Sequence, residues 1–421
     1  MNFFGTIKKA FKDPQIRKRL FFLLSALFIF RVFSAVPIPA IDQAQLSTLL
    51  ANNQFLGLLN LFSGGGLSSL SIIMLGVGPY ITASIGMQLL TTTVPQLKSM
   101  YHEEGEAGKR RFSQISRLIT VPLALIQAFG FLVFLQQQGL LGNLSIIELA
   151  FNAVIVAAGS VLIMWIGELI SEFGIGNGIS IIIFAGIVAS LPTTIQQLAF
   201  TYTPALLPTY IAFAAASVAV TAGVVAISEA ERPIPITHSK QARAGASGGI
   251  STYLPLKVNQ AGVMPIIFAL SILLFPQFLF GYLAGVDNAM LANFGAQATA
   301  LFQNSLFYSS FYFFLVVFFT YFYTAITFDP QSISENLQKS GAYVPGVRPG
   351  EATEKHIGIV LGRITFIGAL FLGAIAVLPL IMQGITGNPN LAIGGTALLI
   401  TVSVVLDLIK KIDAQVSMRE Y

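Results

Sequence analysis

Ten long apolar runs alternate with polar gaps along the 421-residue chain: 20–36, 79–95, 118–136, 147–170, 179–198, 207–228, 261–284, 306–328, 357–382 and 392–409. Most approach the roughly 20 residues a helix needs to cross a bilayer. The second run is irregular. It closes the stretch "LFSGGGLSSLSIIMLGVGPYITASIGMQLL", residues 61–90, in which three glycines open the segment and Gly76, Gly78 and Pro79 break it. The apolar piece between the breaks, Leu67–Leu75, would reach only about 14 Å as a helix, against a hydrocarbon core of about 30 Å. Irregular backbone at membrane depth survives only where protein covers it or a water cavity lines it. Residues 63–76 are therefore predicted to enter partway, inside the bundle, in a funnel open to the outside, with Ser63, Ser68, Ser69 and Ser71 in a wet, protein-lined place. A re-entrant loop with no moving role fits the same pattern.

Composition agrees: 55% of residues are hydrophobic and 10% charged, and mean hydropathy is +0.77. With no cysteine, disulfides and thiolate metal sites are excluded. His102, His238 and His356 lie far apart in polar stretches and read as solvated loop residues. The net charge of +5 matters less than its placement. All Lys and Arg residues but one fall in alternate gaps: the N-terminal segment, 96–117, 229–260, around 329–363, and the C-terminus. The positive-inside rule then predicts a multi-pass protein with both termini in the cytoplasm. Arg31, late in the first run, is the exception and has no evident partner. A cleaved signal peptide is the alternative for residues 1–36, but the run is 17 long and Arg31 interrupts it.

Ten spans divide into five and five at 199–206, giving halves 1–200 and 201–421. Each half crosses an odd number of times, so the second runs opposite to the first, the arithmetic of an inverted repeat. The long inner gaps 229–260 and 329–356 read as polar, turn-rich cytosolic loops. "SGAYVPGVRPG", 340–350, surrounds Arg348 with two prolines and three glycines, which predicts a stiff basic tip suited to a partner. A solvated loop that merely obeys the charge rule is the plain alternative.

Two functional classes fit: a secondary transporter for a small solute, and a channel for something large or variable. Coupled transporters place ionisable groups near the midplane. Here Glu148, Glu168, Glu229 and Asp407 lie near run ends, and the interiors offer aliphatic bulk in "GVGPYI", "GISIII", "MPIIFA" and "GGTALLI". Such side chains can close a pore by dewetting, although lipid contact and packing use the same residues. "GIGNG", 174–178, imitates a phosphate loop but lies between two apolar helices, so it reads as a tight turn and helix start. No nucleophile–base pair or carboxylate dyad suggests catalysis, and nothing calls for a cofactor or metal.

"FSGGGLSSLSIIMLGVGPYITASI", "EEGEAGKRRFSQISR", "GIGNGISIIIFAGIVASLP", "YLPLKVNQAGVMPIIFA", "SGAYVPGVRPGE" and "GGTALLI", in order over nearly the whole chain, resemble the SecY family, channel subunits of the bacterial protein-conducting translocon. The resemblance implies an all-α polytopic membrane fold of ten helices, in two inverted pseudo-symmetric halves around an hourglass pore in the bacterial plasma membrane. It implies a short re-entrant plug helix at 62–76, carried onto Phe62, Ser63, Gly64, Gly65, Gly66, Leu67, Ser68, Ser69 and Leu70 and on to Leu75. It maps a pore ring onto Val77, Ile81, Ile179, Ile183, Ile267 and Ile400. It implies a lateral gate between the second and third spans and the seventh and eighth, with Asn177 and Phe275 near pore or gate. Arg348 matches the basic residue on which the family's motor depends. The implied partners are SecE and SecG in the membrane, the SecA motor ATPase, the ribosome, signal peptides, translocating polypeptides and the lipid bilayer. Many family members carry an Arg-rich tip before "LPLKVN"; here only Lys240 and Arg243 remain, which weakens the implied ribosome docking.

Overall fold

In the computed structural model of the chain, residues 13–38, 60, 63–67, 69–137, 141, 144–200, 204, 207–238, 252–284, 288–386 and 389–420 are described. Every apolar run falls on a helix. In chain order the long helices are α1 (Pro14–Ser34), α2 (Gly78–Thr93), α4 (Gly105–Gln137), α5 (Ile146–Phe173), α6 (Gly178–Phe200), α7 (Leu207–Glu229), α8 (Met264–Ala284), α10 (Ser305–Thr327), α12 (Glu351–Thr386) and α13 (Pro389–Glu420). Between them lie the shorter α3 (Pro95–His102), α9 (Ala289–Gln303) and α11 (Pro330–Lys339). By length and apolar composition alone, five segments among the described residues suffice to cross a bilayer.

Polar residues at the boundaries set where these helices start. Asp13 caps α1, its carboxylate accepting from the backbone N–H of Gln15 at 2.8 Å, with Pro14 supplying the first helical residue. Ser145 and Glu148 form a reciprocal capping box at the start of α5. Asp329 caps α11, ahead of Pro330.

The packing carries the symmetry that the residues themselves do not show. Among the first five long helices, α1 packs on α5 and α6, α2 on α4, α4 on α5, and α5 on α6. Among the last five, α7 packs on α12 and α13, α8 on α10, α10 on α12, and α12 on α13. Each of these five pairs recurs five helices later; α2 also packs on α5, a contact with no counterpart of similar extent between α8 and α12. The two sets meet where α8 lies against α2 and α4, and where α13 lies against α6. Under a two-fold relation α2 maps onto α8 and α6 onto α13, so two of these seams join symmetry mates.

The polar gap 229–260 is more ordered than its turn-rich sequence implied. Strands β1 (Glu231–His238) and β2 (Thr252–Lys257) pair antiparallel, and β3 (Ala342–Tyr343) joins β1 at Thr237 and His238, giving the order β2-β1-β3. His238 is thus a strand residue. "RPIPITH" gives little strand signal because of its prolines, yet Pro233 faces Pro255 in register. Neither has an N–H, so both fit a position that exchanges no ladder bond. Ile234, Leu256, Val344, Ile357 and Ile364 form a small apolar core that fastens this sheet to α12.

Candidate functional site

The re-entrant stretch enters the bundle as expected but is wound differently. Among its described residues, 63–67 and 69–77 form consecutive turns rather than a regular helix. Short backbone bonds link Leu70 N–H to Leu67 O, Met74 N–H to Ser71 O and Gly76 N–H to Ile73 O. Gly64 and Gly65 have φ of 66° and 83°, and Leu70 of 45°. A left-handed backbone interrupts an α-helix, which is why nine apolar residues do not suffice to make one. Phe62 and Ser68 lie outside the described residues.

The serines also behave differently from the wet lining predicted. Ser63 and Ser71 are fully buried. The Ser63 hydroxyl donates to Asn60 O and accepts from Leu67 N–H, both at 3.0 Å. Ser69 donates to Ser34 O at 2.8 Å, at the end of α1. The Ser63 and Ser69 hydroxyls knit the stub internally and to the first helix.

Among the described residues, the hydrogen bonds that fasten the stub run to α1 and the link after it and most of its apolar side chains pack on α4 and α5, while Ile73 enters the cluster shared with the last five long helices. Pro37 and Ser71 form an isolated antiparallel bridge, with Ile38 N–H on Leu70 O at 2.9 Å and Ile72 N–H on Val36 O at 3.0 Å. Arg31 finds its partner here: its guanidinium donates to Gly64 O at 3.3 Å. Leu67, Leu70, Met74 and Leu75 pack on Ala128, Phe131, Leu132 and Leu135 of α4 and on Leu149, Ala153 and Val156 of α5. Two glycines make room. A Cβ on Gly186 of α6 would collide with the Gly64 backbone, and one on Gly159 of α5 with the Ile72 carbonyl. A lone charge near the end of a span was the only sequence signal for any of this. The glycines had none.

Beneath the stub, Val77, Ile81, Ile183, Ile267 and Ile400 are each at most 4% exposed and belong to one apolar cluster built from both halves. Ile179 is half-buried, packs against that cluster, and rests on the backbone space over Gly167. Asn177 caps α6, its side-chain oxygen accepting from Ser180 N–H at 3.2 Å; "GIGNG" is the turn and helix start predicted. Phe275 lies on α8, one residue before Pro276, and its side chain is outside the described set. Toward the basic end the cluster opens onto a cavity of about 480 Å3 lined by Asn177, Lys257, Asn259, Gln260, Asp407 and Lys410 among others.

The carboxylates near the run ends are all engaged. Glu148 completes the capping box, Glu168 pairs with Arg117 across α5 and α4, Glu229 meets Lys410 at 2.7 Å and Asp407 meets Lys411 at 2.7 Å. Among the described residues, no group of His, Asp and Glu could hold a metal ion. Arg348 is exposed on the turn-rich tip, where its carbonyl accepts from the Thr353 hydroxyl at 2.8 Å. Gly346 turns that loop at φ 79°. Lys240 and Arg243 lie outside the described residues.

Fold and site together define a polytopic helical membrane protein whose helices share one buried apolar cluster with a short stub of turns packed beside it. The family model for SecY matches residues 71–409, and the chain belongs to the SecY family. It is 41% identical to a protein translocase subunit SecY of Halalkalibacterium halodurans, over 99% of each chain. It is 38% identical to one of Corynebacterium glutamicum, again over 99% of each. A solved protein-conducting channel superposes with a TM-score of 0.67 at 20% identity, covering 96% of this chain and 93% of that one. The Sec61 of a canine ribosome-channel complex gives 0.61 at 19%, with the same coverage. At those identities the likeness speaks for the fold.

Proposed function

We propose that this chain is the pore-forming subunit of a protein translocation channel in a bacterial plasma membrane, a passive conduit for unfolded secretory polypeptides that also releases apolar helices sideways into lipid. Residues 1–200 and 201–421 are its two halves, the basic loops and both termini face the cytosol, and the stub is the plug of the opposite funnel. Val77, Ile81, Ile179, Ile183, Ile267 and Ile400 form the constriction. The seam of α2 and α4 against α8, backed by α10, is the lateral gate, with Asn177 and Phe275 beside pore or gate.

One observation carries the reading: aliphatic residues from both halves converge in one buried cluster directly under a stub held mainly by the first half. A translocating chain has no fixed sequence, so specific polar contacts would stall it. Apolar walls bind little, deform around any side chain, and exclude water when empty. Sealing matters, because each unit charge that leaks dissipates about 2.3 kcal/mol per 100 mV. A helix leaving through the gate is favoured by roughly 25 cal/mol per Å2 of apolar surface removed from water. The engaged carboxylates speak against a coupled small-solute transporter, which needs ionisable groups free near the midplane.

A directional motor must come from outside. SecA on Arg348 and SecE and SecG in the bilayer are the partners this reading requires. Ribosome docking through Lys240 and Arg243 rests on less basic charge. Reconstituted in vesicles with a SecE-type subunit and a SecA-type ATPase, the chain should carry an unfolded secretory precursor to a protease-protected lumen; saturable uptake of a small solute without any motor would replace this reading with the transporter.

A further inference from the structure

We propose that α9 lies along the surface of the bilayer, on the side opposite the basic loops, with Met290, Phe294 and Leu301 set among the acyl chains. Its partner is the lipid surface, held by apolar insertion rather than by headgroup charge. The inference needs only the membrane fold, so it stands or falls apart from any reading of transport.

Both ends of α9 are fixed at one boundary. The apolar run 261–284 closes with α8 at Ala284, and the run 306–328 opens with α10 at Ser305. The gap between them, 285–305, carries no Lys or Arg. The 15 residues of α9 make a rod about 22 Å long. A rod that starts and finishes at one boundary lies along it. Asparagines make the corners. Asn288 caps α9, its side chain accepting from Met290 N–H at 3.0 Å. Asn304 ends α9, its N–H donating to Ala300 O and Leu301 O, and it caps α10 by accepting from Leu306 N–H at 3.0 Å.

Helical spacing gives α9 three stripes. Gly295, Thr299 and Phe302 face the protein: Gly295 is buried, and the Phe302 ring lies 6.0 Å from that of Phe280 on α8 and 5.6 Å from that of Phe307 on α10. Met290, Phe294 and Leu301 form the second stripe and are 84%, 57% and 56% exposed. Asn293, Gln297 and Ala300 form the third, also exposed. The spans that α9 meets are apolar outward at the same contacts, through Leu279 beside Phe280 and Leu306 beside Phe307. In open water the second stripe would leave three large apolar side chains uncovered together. In the hydrocarbon core the amides of Asn293 and Gln297 would lose their water. Only the boundary suits both stripes at once. No residue of α9 is charged, so anionic headgroups have nothing on it to attract.

The chain has no cysteine, so one introduced cysteine carries a nitroxide at a single place. In the full chain reconstituted into phosphatidylcholine vesicles, collisions with oxygen, which concentrates in lipid, and with a water-soluble nickel chelate measure the depth of the label. Labels on Met290→Cys and Leu301→Cys should lie about 5–10 Å below the phosphate plane. A label on Asn293→Cys should collide mainly with the nickel chelate. The depths should not change when phosphatidylglycerol replaces part of the phosphatidylcholine. Stripe labels as open to nickel as Asn293 would put α9 in water. Labels shut off from both reagents would put a protein surface on the stripe, from a second copy or another subunit. A depth that grows with phosphatidylglycerol would replace apolar insertion with headgroup charge. Each of these outcomes overturns the proposal. If Met290→Cys fails to accumulate, Leu301→Cys decides by the same criteria.

Discussion

The two ends of the buried apolar cluster, the proposed constriction, are built on opposite principles. The end away from the basic loops is filled: Ser63, Leu67, Leu70, Ser71 and Met74 are at most 1% exposed, and the stub is tied to α1 through Arg31, Ser69 and the bridge at Pro37. The basic end is hollow: the Asp407–Lys411 pair and Lys410, bound to Glu229, stand around a cavity of about 480 Å3. The filled side also leans to one half: among the described residues its hydrogen bonds and most of its apolar contacts come from the first five long helices and the link after α1, with Ile73 reaching the cluster that draws on both halves. The difference teaches how such a pore can open. A stub held mainly by one half can stay seated while the halves part, or leave as a unit by breaking a handful of named contacts; the apolar cluster loosens as soon as the halves separate at all.

Substitutions that act on one approach and spare the other test this contrast. The largest effect belongs to the basic face. Arg348→Glu should abolish motor-driven precursor export, by about a hundredfold or more in a reconstituted assay, while protein level and resting ion leak stay unchanged. An equal fall in protein level would assign Arg348 to folding rather than to a partner. Next comes the seat of the stub. Gly186→Val puts a branched side chain where the Gly64 backbone lies. Overpacking of about 1–3 kcal/mol should raise resting ion leak in planar bilayers roughly fivefold to a hundredfold. Normal leak in that variant would show that the stub does not seal.

Within the constriction, Ile400→Asn should raise leak about tenfold and permit export of precursors with defective signals, because a polar side chain stabilises the wetted state. Arg31→Ala removes one charge-assisted bond at an exposed site and should raise leak only about threefold to fivefold. Ser69→Ala, which loses the neutral bond to Ser34 O, should do less, within about twofold to threefold. Reversal of the last two would mean that the small neutral bond, not the cation, fastens the stub.

Much of this was legible in the chain. Run lengths located every long helix, the odd number of crossings in each half gave the inverted arrangement, and the short piece between Gly66 and Gly76 announced a segment that could not cross. "SGAYVPGVRPG" read as a turn-rich tip, and β3 and the Thr353 hydroxyl hold it at either side of Gly346. Other features were not legible. The sheet was hidden by Pro233, Pro235 and Pro255, because a rule that excludes proline from strands cannot know which positions make no ladder bond. The serines of the stub looked wet because local sequence does not say which carbonyls will be nearby. Arg31 was visible as an anomaly but not as a latch, since Gly64 lies 33 residues away.

Hydrophobic length, glycine and proline positions, and the alternation of basic gaps are one-dimensional quantities. A bilayer acts on them directly, because each span must cover a fixed thickness and keep its own backbone bonded. The sequence therefore determined the number of helices, the inversion of the halves, and the presence of a segment too short to cross. Which helices grip that segment, where two glycine backbones touch, and which carbonyl Arg31 meets depend on surfaces brought together from distant parts of the chain. Side-chain packing and long-range hydrogen bonds have no signature along a single strand of residues, so only the tertiary structure could decide them.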